Sequence, residues 1–67
     1  MKAIISREDS TGKIAEVATT NRTVVSHYKT LDGVRRFAAK YAAGKRFRIE
    51  FFHDDFFYGE PFRTELS

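Results

Sequence analysis

The chain has no cysteine and no tryptophan, a single proline, Pro61, and four glycines in its 67 residues. Without cysteine there is no disulfide staple and no thiolate zinc site. Only two histidines are present, His27 and His53, far apart in sequence, so no metal ion and no cofactor are expected. Long apolar runs are missing as well. The opening residues MKAIISRED hold three consecutive apolar residues before an arginine and two acids, which fits neither a signal peptide nor a membrane-spanning helix. The expectation is a single cytoplasmic domain over residues 1–67, close to the lower size limit for an unaided hydrophobic core.

Rings and charge are what the chain does have. The stretch KRFRIEFFHDDFFYGE, residues 45–60, holds five phenylalanines and a tyrosine. The net charge of +3 is modest, but it is unevenly spread. Residues 1–28 carry four cations and three acids (+1), residues 29–48 seven cations and one acid (+6), and residues 49–67 one cation and five acids (−4). Phosphate contact needs cations that release counterions. The acidic C-terminal part therefore argues against simple duplex binding, unless folding carries it away from the basic segment.

Hydrophobic periodicity predicts an α+β domain in the order β-β-β-α-β-β, with an antiparallel sheet of about five strands and one helix on one face. KAIISR is β-branched and EDSTGK is rich in turn formers; KIAEVAT alternates with period two, and TVVSHY is again β-branched. These make a three-stranded meander. Thr30 is placed to cap a helix that Gly44 ends, with Asp32 at the positive end of its dipole. On that helix Leu31, Val34, Phe37, Ala38, Tyr41 and Ala42 fall in an arc of about 140°, the expected buried face. Arg36 and Lys40 point away from it, and Arg35 lies at its border. Gly33 is read as a close approach of helix to strand.

After Gly44 the alternation returns, with Phe47, Ile49 and Phe51 on one face and Arg46, Arg48, Glu50 and Phe52 on the other. A tight turn at Asp54 and Asp55 would set Phe51 opposite Tyr58 and Phe52 opposite Phe57. Pro61 suits a strand end or sheet edge. The expected core is Leu31, Val34, Phe37, Ala38, Tyr41, Phe47, Ile49 and Phe51, with Ile5, Val17 and Val25. Phe52 and Phe57 become an outer aromatic pair beside Arg46 and Arg48.

No catalytic pattern emerges. His27 has no nucleophile or carboxylate at a diagnostic spacing. HDD reads as a polar turn, since three adjacent residues rarely converge on one ion. Gly12-Lys13 lacks the spacing of a phosphate loop. A single helix excludes the βαββαβ RNA-recognition module. The run Arg35, Arg36, Lys40, Lys45, Arg46 and Arg48 is the strongest positional signal, readable as a solvated face or as a contact surface for phosphate or an acidic protein. With Phe52 and Phe57 it forms the expected partner-binding set. Arginine and aromatic anchors bordered by Glu50 and Glu60 favour a protein partner, with direct nucleic-acid binding as the alternative.

The basic amphipathic helix TLDGVRRFAAKYAAG followed by KRFRIEFFHDDFFYGEPFR resembles, in architecture, size and charge, small phage-encoded proteins. These include single-domain anti-CRISPR proteins that act on type I surveillance complexes. The resemblance implies a non-enzymatic inhibitor that occupies a surface of a protein–nucleic acid complex. It carries no residue roles with it.

Overall fold

A computed structural model describes residues 1–17, 19–53 and 60–67. Strands β1 (Lys2–Arg7) and β2 (Arg22–Ser26) are followed by helix α1 (Leu31–Ala42), then β3 (Phe47–Phe52) and β4 (Arg63–Leu66). The four strands form one antiparallel sheet in the order β2-β1-β3-β4. Helix α1 packs across the central strands β1 and β3. The chain is thus α+β, as its periodicity predicts, with one helix and four strands among the described residues where about five strands were expected.

The described residues of KIAEVAT form no strand. Only an isolated bridge, Glu8 to Ile14, marks its start, and β1 pairs directly with β2. Its inward candidates are small, so a ladder there would bury little apolar area. The connection instead runs as an irregular loop, with Val17 exposed rather than in the core.

Phe51 is flanked by Ala3 on one side and by Arg63 on the other, where Tyr58 was expected. The expected tight turn at Asp54 and Asp55, with Phe57 and Tyr58, lies outside the described residues. Pro61 stands two residues before β4, where no ladder donor is needed.

The core between helix and sheet is Ala3, Ile5, Val34, Ala38, Ile49 and Phe51, with Val25, Tyr28, Leu31, Tyr41 and Phe47 packed around it. On α1 the buried stripe is Val34, Ala38 and Ala42, spaced by four. Phe37, expected in the core, is 45% exposed. The reason is a rotation. At 100° per residue the seam centres on Ala38, about 30° from the middle of the apolar arc, which carries Phe37 out of the interface and brings Arg35 down to its border. Small residues at the seam let the helix lie close to β1 and β3, where a second large ring would not fit.

Thr30 caps α1 as expected, its hydroxyl accepting from the Gly33 N–H at 3.0 Å. A Cβ at position 33 would sit 3.2 Å from that hydroxyl oxygen, so Gly33 serves the cap rather than an approach to a strand. At the other end the left-handed turn begins on Ala43 (φ 52°) and continues through Gly44 (φ 89°).

Candidate contact surface

Of the six cations in the basic run, three are committed within the fold. Arg35 clamps Glu65 of β4 with two hydrogen bonds of 2.8 and 2.6 Å and reaches Asp32 at 2.7 Å. Arg46 donates to Glu8 Oε2 (3.1 Å) and to the Gly12 carbonyl (2.6 Å). Arg48 lies 3.4 Å from Glu50 Oε1 and donates to the Ala15 carbonyl. The bonds to Glu65 and Glu8 favour the ionised acids. The Glu65 carboxyl is lowered to about 2, chiefly by Arg35 and then by Arg63. Glu8 is lowered through the Arg46 backbone N–H and then its side chain.

Two further arginines, which periodicity did not single out, complete a pattern. Arg22 of β2 donates to Ser6 Oγ (3.1 Å) and to the Glu16 carbonyl (2.8 Å), and lies 3.7 Å from Glu50. Arg7 of β1 donates to Asn21 Oδ1 (3.1 Å) and to the carbonyls of Tyr41 and Thr20. Arg7, Arg22, Arg46 and Arg48 thus hold backbone carbonyls of the 8–21 loop. A segment with no ladder of its own must find partners for its polar groups elsewhere, and here planar multi-donor side chains supply them. The signal in the sequence was the small side chains of KIAEVAT beside arginine-bearing strands.

Arg36, Lys40 and Lys45 are exposed and make no ion pair with a described residue. Arg36 and Lys40 lie four residues apart on the outer ridge of α1, and Phe37 projects beside them. Its ring stacks on Tyr41 at 6.4 Å with the planes 7° apart. Tyr41 is fixed in turn, its hydroxyl donating to the Thr20 carbonyl (2.9 Å) and the Arg7 guanidinium lying 4.4 Å over its ring. Phe37 is therefore an exposed ring on a tethered base, bordered by exposed cations. Lys45 stands at the far end of the helix and lines an open concavity of about 430 Å³ with Ala39, Gly44, Arg46, Phe47 and Ser67.

Phe52, expected to project outward beside Arg46 and Arg48, is on the face away from the helix but only 6% exposed. Phe57 lies outside the described residues. The ring expected inside and the ring expected outside have exchanged environments.

The histidines stand apart from this surface. His27 occupies a left-handed backbone position (φ 58°) just past β2, its N–H donating to the Met1 carbonyl (3.0 Å). His53 stacks on Phe62 at 4.0 Å. Among the described residues no three His, Asp or Glu side chains converge on a point, and no helix is long and apolar enough to cross a membrane. Comparison with protein-family models, curated proteins and solved structures returns no match.

Proposed function

We propose that this chain is a non-enzymatic binding module that docks on a protein through the outer face of α1. Phe37 is the apolar anchor, and Arg36 and Lys40 are the cations beside it. The partner proposed is a component of a nucleic-acid-handling complex, the target class implied by the resemblance to anti-CRISPR proteins.

The observation that carries this reading is the exposed Phe37 ring, stacked on a tethered Tyr41 and flanked by exposed cations that make no ion pair with a described residue. Pre-positioned aromatic anchors beside arginine supply a disproportionate share of binding energy at protein interfaces. The internal commitment of Arg35, Arg46 and Arg48 supports a protein partner over a bare phosphate backbone, because it removes half of the run from counterion release.

The test is capture from host lysate with and without nuclease, using the parent chain, Phe37→Ala and Arg36→Ala/Lys40→Ala. A partner that survives nuclease and binds Phe37→Ala with affinity lower by about 2 kcal/mol or more, roughly thirtyfold, is the expected result. A partner lost on nuclease treatment alone, with salt-dependent shifts of nucleic-acid probes, would establish direct nucleic-acid binding in its place.

A further inference from the structure

The two edges of the sheet are guarded differently. β4 carries Arg63 and Glu65, both tied into the cluster with Arg35. β2 from Thr23 to Ser26 carries neither a charge nor a proline, the devices that usually keep an edge strand from pairing with another chain. Its one cation, Arg22, is turned in toward Ser6, Glu16 and Glu50.

The ladder shows which backbone groups this edge offers. Arg7 N–H to Asn21 O and His27 N–H to Met1 O are interstrand bonds on either side of β2. Antiparallel bonding alternates from residue to residue, so in the observed register Thr23 and Val25 bond to β1. Val24 and Ser26 therefore direct their N–H and C=O groups outward, where β2 has no neighbouring strand among the described residues. The Arg22 N–H is taken by the Thr19 carbonyl. Val24 is 50% exposed and lies beside Ile4 on the face opposite the helix.

We propose that β2 pairs antiparallel with β2 of a second copy of this chain, about a two-fold axis at Val24. The edge is self-complementary in this register. Val24 exchanges both backbone bonds with Val24 of the second copy, and the Ser26 N–H reaches the Arg22 carbonyl of the other strand. No like charges face each other, and the side chains Ile4, Val24, Val24 and Ile4 of the two copies form one apolar row. Such a contact is closed by its own symmetry. Because directly opposed residues of antiparallel strands point to the same side, both helices lie on one face of an eight-stranded sheet. The dimer then presents two copies of the Phe37 surface in the same direction, an arrangement that gains affinity for any repeated partner. The pairing itself does not depend on that surface.

The experiment is sedimentation of the full chain across a wide concentration range, with amide hydrogen exchange measured at its two ends. The expected result is a concentration-dependent species of twice the chain mass, with Val24 and Ser26 amides gaining protection as it forms and those of Thr64 and Leu66 unchanged. Val24→Lys should stay at the mass of one chain with an unaltered circular dichroism spectrum, while Leu66→Lys, at the other edge, should dimerise as the parent does. A parent chain that stays at single mass throughout would overturn the proposal. So would dimerisation that persists in folded Val24→Lys, or protection of Val24 and Ser26 that appears only on addition of a partner protein.

Discussion

Phe51 and Phe37 carry the same ring in opposite circumstances. Phe51 is wholly buried between sheet and helix, with Tyr28 edge-on at 5.9 Å and Phe62 tilted against it at 6.2 Å. Its truncation removes that burial and leaves a cavity, so Phe51→Ala should cost about 3–5 kcal/mol. That is a large share of the stability of any small domain, and urea denaturation should find the variant largely unfolded. Phe37→Ala forfeits one stacked contact and partial burial. It should cost about 1 kcal/mol and leave a cooperative transition, which is what makes it usable as a binding variant. A Phe37→Ala chain as unstable as Phe51→Ala would place that ring in the core after all.

At the scale of elements, the tie between α1 and β4 is electrostatic as well as apolar. Arg35 reaches across from the helix border to Glu65, which Arg63 also contacts from its own strand. The Glu65 carboxyl lies at about 2 against an ordinary value of 4.5. Its pKa is therefore lower in the folded chain than in the unfolded one. The stabilisation it contributes is fully present above about pH 4.5 and is lost as the pH falls toward 2, because the unfolded chain takes up the proton first. Thermal midpoints measured between these limits should fall more steeply for the parent than for Glu65→Gln, which has no such proton to gain. Parallel slopes in the two proteins would mean that the pair contributes nothing.

Across the whole molecule, basic residues divide by partner rather than by position in the chain. Three arginines from three strands, Arg7, Arg22 and Arg48, and Arg46 just before β3 converge on the 8–21 loop, which extends the structure beyond its ladder. Within the loop the Asp9 and Ala15 amides bond to the carbonyls of Lys13 and Arg7. Asp9 also accepts from Thr11 and from the Lys13 N–H, and these bonds lower its pKa. Arg46→Gln should speed hydrogen exchange at Asp9 and Ala15 several-fold while leaving the Ile5 and Ile49 amides protected, since local opening and global unfolding are separate events. Equal acceleration everywhere would show that the arginine supports the entire fold and not the loop.

The α+β class, the N-cap of α1, the alternation of β3 and most of the core were legible in the sequence. All rest on interactions between residues close in the chain or on a period of two or 3.6. Thr30 could be read as a cap because its hydroxyl needs only a donor three residues away, and Ile49 and Phe51 could be read as buried because β3 alternates cleanly. The exchange of Phe37 and Phe52 could not. A helical arc defines a buried side only to within a fraction of a turn, and it is Ala38 fitting over β1 and β3, with Arg35 reaching Glu65 thirty residues away, that sets the rotation. The same holds for the basic run. Sequence establishes how many cations there are and where they cluster, while the carboxylates and carbonyls that engage Arg35, Arg46 and Arg48 come from elements distant in the chain. Which charges remained free to meet a partner was therefore decided by tertiary structure alone, since only folding brings each cation within hydrogen-bonding distance of its acceptor.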